Sequence, residues 1–267
     1  MKSRALTWVA GLLLIVASSA SAQAPGTVFL DELTWTELRN QISAGKTTII
    51  VPIGGTVQNG PHMVLGKHNV RVKALSEKIA RTLGNALVAP VIAYVPEGSV
   101  SPPTAHMRFP GTITVSNATF EQVLESAARS FKASGFRDVV FLGDHGGYRS
   151  SEKAVADRLD REWRNTPVRV HAVTEYYQAA DAGFAQQLRS RGYTEAEIGT
   201  HAGLADTSLS LAIDPGLVRA DKLASTPDAA AGVHGDPRRA SAELGQPAID
   251  AIVAQTVAAI NIATARR

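Results

Sequence analysis

Short runs of β-branched residues alternate along this chain with stretches whose apolar residues recur every three or four positions, and that rhythm admits few folds. The runs "TTIIVPIG" (47–54), "ALVAPVIAY" (86–94), "DVVFLGD" (138–144) and "VRVHAVTEY" (168–176) read as strands. They lack the polar alternation of a sheet with one wet face, which points to parallel strands covered on both sides. Between them Val72, Leu75, Ile79 and Leu83 keep helical spacing, as do Phe120, Val123, Leu124, Ala127, Ala128 and Phe131. The second of these helices has Ser116 or Asn117 available as cap and Gly135 to close it. A last helix is marked by Ile249, Ile252, Val253, Val257 and Ile260, after a surface loop at 224–239. The expected fold is a three-layer α/β domain, a mainly parallel sheet with helices on both faces.

The amino terminus is of another kind. Lys2 and Arg4 precede the apolar run "LTWVAGLLLIVA", and Ala20 and Ala22 bracket Ser21 in a small-residue cleavage pattern. This reads as a secretory leader over residues 1–22, followed by a single domain over 23–267 that is exported to the periplasm or secreted. Removing the leader takes away two of the 27 basic residues and none of the 24 acidic ones. The near-neutral remainder gives no electrostatic reason to expect nucleic acid as a partner, and no stable membrane insertion is expected once the leader is cleaved. The chain has no cysteine, so thiolate chemistry and cysteine-ligated zinc are excluded, and a metal site must come from His, Asp and Glu.

Histidines and acids gather where the expected strands end. His62 and His68 follow the first, Asp144 and His145 end the third, and Glu175 ends the fourth. In open parallel sheets ligands bind at the carboxyl ends of the strands, so one site would look like this. The stretch "IGGTVQNG" is no phosphate loop, because no Gly-Lys-Ser/Thr follows it. Neither G-x-S-x-G nor H-E-x-x-H occurs, which removes the usual serine-hydrolase and zinc-protease signatures. What remains are histidines beside glycines in "GPHM", "GKHN", "GDHGG" and "THAG".

The ordered blocks "VPIGGTVQNGPHMVLGKHN", "HMRFPGTITVS", "GFRDVVFLGDHGG", "HAGLADTSLSLAIDP" and "GVHGDPRRASAELG" resemble the creatininase (creatinine amidohydrolase) family from about residue 33 onward. The resemblance implies a compact α/β hydrolase of cyclic or linear amides, metal-dependent, acting on a small-molecule substrate and assembled as a homo-oligomer, typically a hexamer. It also shows departures. Val57 and Asn59 stand where the family pattern has a metal-binding Glu and His, and His68 stands where it has a bridging Asp. One imidazole nitrogen is a poor bridge between two ions.

The residues that survive suggest one divalent ion, Zn2+ with Mn2+ or Fe2+ as alternatives, on His68, His145 and Asp206. Asp144 and His201 are the candidate catalytic groups, the other reading of Asp144 being that it only orients a metal-binding imidazole. His62, His106 and Glu175 are expected to contact substrate, and Lys67 and Arg149 read as solvated charges, with binding of an anionic substrate as the alternative. The function expected is hydrolysis of a C–N bond in a small amide, lactam or cyclic ureide by a metal-activated water. The alternatives are a non-catalytic periplasmic binding protein derived from the family and a metal enzyme of another reaction type.

Overall fold

The computed structural model describes residues 26–224 and 228–265, so the leader expected at 1–22 lies outside the described residues. In chain order the main elements are α1 (Trp35–Ser43), β1 (Thr48–Ile53), α2 (Lys67–Leu83), β2 (Ala86–Val88), α3 (Asn117–Ser134), β3 (Asp138–Gly143), α4 (Arg149–Glu162) and β4 (Arg169–Ala172). They are followed by α5 (Glu175–Gln178), α6 (Phe184–Ser190), α7 (Glu195–Ile198), α8 (Leu204–Ile213), α9 (Ala220–Leu223) and α10 (Ala242–Ala265). The strands form one sheet in the order β2-β1-β3-β4, every pair parallel, with Thr48 opposite both Ala86 and Asp138.

Alternate strand residues feed two cores. Ile50, Val140 and Leu142 face α2, α8 and α10, where Val72, Leu75, Ile79, Leu209, Ile249 and Ile252 are buried. Ile49, Val51, Val139 and Phe141 face α3 and α4, where Phe120, Leu124, Val155 and Leu159 are buried. The molecule is therefore the three-layer α/β fold that the sequence rhythm implies. Ser116 caps α3 by accepting from the Thr119 N–H at 3.1 Å, and Gly135 closes the helix at φ 103°. Gly245 lets α10 lie against α8: a Cβ there would come within 2.1 Å of the Ser208 carbonyl oxygen.

Two strands stop earlier than their apolar runs. β2 ends at Val88: the Ala89 N–H still donates to the Ile50 carbonyl at 2.8 Å, but Pro90 has no N–H to continue the ladder, and β1 is met again at a bridge from Ile53 to Ile92. β4 ends at Ala172, and Glu175 opens α5 rather than closing a strand. The loop at 224–239, as far as it is described, folds back rather than trailing over the surface: the His234 N–H donates to the His201 carbonyl at 2.8 Å.

Candidate metal and catalytic site

The loops leaving β1, β2 and β3 and the segment entering α8 meet at the carboxyl end of the sheet. There the rings of His68, His145, His106 and His201 form a chain, with successive centroids 5.3, 5.6 and 4.8 Å apart. A cavity of about 100 Å3 is lined by Lys67, His68, Asp144, His145, His201 and Asp206. Beside it a wider cavity of about 470 Å3 is lined by Gln58, His106, Arg108, Phe109 and His234.

On one side of this site every charge is matched. Lys67 is 1% exposed and donates a short hydrogen bond to Asp206 Oδ2. Arg71 donates to Asp206 Oδ1 from Nη1 and to Asp144 Oδ2 from Nε, both at 2.8 Å. Asp144 Oδ2 also lies 2.7 Å from His68 Nδ1, and its Oδ1 accepts from the Tyr176 hydroxyl at 2.7 Å. Lys67 and Arg71 sit one turn apart on the first two turns of α2, the end of a helix that disfavours cations. The two aspartates offset that penalty. Burial weakens the charge on both carboxylates, yet Arg71 for Asp144, and Lys67 with Arg71 for Asp206, outweigh it and hold them below the usual range. Burial lowers Lys67 to about 8 against the pull of Asp206.

The other side is unmatched. Glu97, in the loop between β2 and α3, is 3% exposed, and neither of its carboxylate oxygens has a hydrogen-bond partner. Its Oε1 lies 3.6 Å from His145 Nδ1. Gly55, at φ 150°, makes room for it, since a Cβ at that position would stand 3.0 Å from Oε1. Burial raises Glu97 to about 8, with Lys67 opposing. Burial also disfavours the charged form of the imidazoles of His68, His145 and His201. Burial first, and then Lys67, brings His68 to about 4 and His201 to about 3, while burial and the neighbouring rings hold His145 well below its usual value. The Gln58 amide nitrogen is 3.0 Å from His106 Nδ1 and 3.1 Å from His201 Nε2, tying those two rings together.

The structure thus gathers His68, His106, His145, His201, Asp144 and Asp206 at one place, and it does not bring the others there. His62 is buried with Nε2 3.0 Å from the Thr207 hydroxyl and lines neither cavity. Glu175 is exposed, because the chain has already turned into α5 and points it away from the strand ends. Lys67, expected in solvent, is instead among the largest fully buried side chains, drawn in by Asp206. Arg149 is exposed, with its guanidinium 4.7 Å from the Tyr177 ring centre. Asp206 is not open on the side expected of a ligand, since Lys67 and Arg71 already hold its oxygens and Oδ2 also accepts the Ala202 N–H at 3.1 Å.

Glu97, Arg71 and Gln58 escaped the sequence reading. The criterion that selected Asp144, an acid just past a strand, also fits Glu97 in "YVPEGS", and Arg71 stands four residues after Lys67 on one helix face.

The creatininase family profile, described as creatinine amidohydrolase, matches residues 31–260. The chain is 29% identical over 208 residues to creatinine amidohydrolase of Pseudomonas putida, covering 76% of this chain and 78% of that protein. It is 28% identical over 193 residues to the mycofactocin precursor peptide peptidase of Mycolicibacterium smegmatis, covering 70% and 66%. A crystal structure of creatinine amidohydrolase superposes with a TM-score of 0.75 at 26% identity, over 91% of this chain and 100% of the other. Manganese and zinc–zinc forms of creatininase give TM-scores of 0.73 and 0.72, each at 27% identity, over 89% and 90% of this chain and 99% of theirs. With one profile spanning residues 31–260, and relatives of known structure superposing over about nine-tenths of its length, the chain belongs to the creatininase (creatinine amidohydrolase) family of hydrolytic enzymes.

Proposed function

We propose that this protein hydrolyses a C–N bond in a small amide, lactam or cyclic ureide with the help of a bound divalent ion, zinc or manganese being the metals of its structural relatives. The observation that carries the reading is the juxtaposition of neutral imidazoles with a buried, unpartnered carboxylate at the carboxyl ends of the strands. Neutral imidazole and carboxylate oxygen are the donor forms that divalent ions take, so the residues present fit such an ion. When bound, the ion would polarise the amide carbonyl and acidify a water.

The chain's own residues have separable tasks. Asp144 accepts from Tyr176 and Arg71 and lies against His68 Nδ1, so it is a positioning residue that fixes the His68 ring rather than a free proton carrier. His201, which lines the small cavity and is held by Gln58 at Nε2, is placed to accept the proton that the attacking water releases and to hand that same proton to the leaving nitrogen as the C–N bond breaks. His106 and Arg108 line the wider cavity, which is the place for the rest of a small substrate. In this reading the enzyme works after export, as the leader pattern implies, and as a homo-oligomer like other members of its family.

Amine or ring-opened product should appear when the purified protein, loaded in turn with zinc and manganese, is offered lactams, cyclic ureides and formamides. His201→Asn should lower kcat by roughly 100-fold to 10,000-fold, the range of general acid–base catalysis, with a smaller change in KM. Complete inactivity with ion bound would remove the hydrolase reading. It would favour a metal enzyme of another reaction type, and absence of any bound ion would favour the non-catalytic binding protein.

A further inference from the structure

We propose that the ion is held by Glu97, His106 and His145, and that the Lys67 ammonium takes the charge position on Asp206 where a ligand was expected. The inference rests on the metal-dependent reading above and assigns its ligands. Among the described residues, these three are the group of His, Asp and Glu side chains whose donor atoms all lie within 4.8 Å of one another. The 3.6 Å between Glu97 Oε1 and His145 Nδ1, a nitrogen whose own partner is the Gly147 N–H at a long 3.4 Å that an ion would displace, is close to the edge of a tetrahedron around a zinc ion with ligands at about 2.0–2.1 Å, an edge of about 3.4 Å.

Three further observations support the assignment. A carboxylate that is buried with both oxygens unpartnered is costly and rare, and it calls for a cation or a proton. The backbone at Gly55 is shaped around that carboxylate, which no ordinary side chain at the position would allow. Finally, Asp206 has no vacancy: one oxygen lies on Lys67 and the Ala202 N–H, and the other on Arg71. Within one cluster, then, the chain supplies its own cations for Asp206 and Asp144 and supplies none for Glu97. Of the ligands expected from sequence, His145 is kept. His68, with Nδ1 against Asp144 and an unpartnered Nε2, flanks the three.

Cobalt(II) titration of the chelator-treated full-length protein tests this, read by calorimetry for stoichiometry and by visible absorption for the ligand field. The wild type should take up one ion per chain, Glu97→Gln should weaken uptake at least 100-fold, and the double variant K67M/D206N should bind as the wild type does. His106→Ala serves as the second ligand variant if Glu97→Gln does not fold, and it should lose the wild-type absorption bands. Full uptake by folded Glu97→Gln, or loss of uptake in folded K67M/D206N, would overturn the ligand assignment while leaving a metal-dependent enzyme. Absence of uptake by the wild type with cobalt, zinc and manganese alike would overturn the metal-dependent reading itself.

Discussion

The two sides of the site, separated by little more than the His68–His145 ring contact, solve the burial of carboxylates in opposite ways. Around Arg71 two aspartates are each met by cations from α2, by an imidazole or backbone N–H, and in Asp144 by a tyrosine hydroxyl. Around Glu97 the chain brings imidazoles and no cation. Helix α2 makes the difference, because its first two turns carry Lys67, His68 and Arg71 toward the aspartates. A protein that neutralises one half of a polar cluster internally has fixed that half as structure, and the half it leaves unmatched is where something from outside is needed.

The largest expected effect breaks the matched side. Arg71→Met removes the cation shared by both aspartates and should destabilise the fold by about 3–5 kcal/mol, the range for stranding a buried charge, measured by urea unfolding. Lys67→Met leaves Asp206 its Arg71 and Ala202 partners, so about 2 kcal/mol is expected from one lost charged hydrogen bond. If both substitutions were neutral, the matched side would not be structural.

On the unmatched side the sign reverses. Glu97→Gln in the metal-free protein should leave stability near neutral pH unchanged, because burial raises Glu97 to about 8 and favours its protonated form there, and should raise it only as pH climbs through about 8, where the amide avoids the cost of an unpartnered carboxylate. The same change should abolish stabilisation by added ion, which in the wild type amounts to about 2.7 kcal/mol at one hundred times Kd.

Among the described residues Glu152 is a second buried carboxyl without a cation. It is buried behind Tyr148 with Oε1 unpartnered, and burial raises it to about 8 against the pull of Arg149. No group of metal donors surrounds it among the described residues, so a proton rather than an ion meets its need. A carboxyl raised in the folded state contributes stability that is complete below its ordinary value near 4.5 and is lost as pH climbs through about 8. Glu152→Gln should therefore flatten part of the alkaline decline in melting temperature between those limits, with ion uptake unaltered. A parallel change in ion binding would mean that the two carboxylates are coupled.

Much of this was legible in the sequence. The β-branched runs and helical spacings fix the parallel three-layer sheet, because buried strands and amphipathic helices carry periodicities that no neighbour needs to supply. The Ser116 cap and Gly135 stop are local chemistry, and they stand where the sequence puts them. The ends of β2 and β4 were harder. Pro90 is visible, but the turn at Thr174 into α5 depends on Tyr176 reaching Asp144, a contact 32 residues away in sequence.

The site divides in the same way. His145, His106 and His201 stand out by type and position, whereas the partners that decide what each acid can do come from distant segments. Asp206 reads as a ligand until Lys67 and Arg71, more than 130 residues earlier, are placed against it. Glu97 looks like an ordinary loop acid until the fold buries it against Gly55 and His145. Spacing reports what lies on one element; it is silent on which charge cancels which across elements.

Anomalous diffraction at the zinc edge, from crystals of the zinc-loaded full-length chain, shows which carboxylate holds the ion. The predicted result is one peak per chain within bonding distance of Glu97, His106 and His145, with Lys67 still on Asp206. A peak bonded to Asp206, with the Lys67 side chain displaced from it, would mean that Glu97 is not the ligand and that the Lys67–Asp206 pair is not structural.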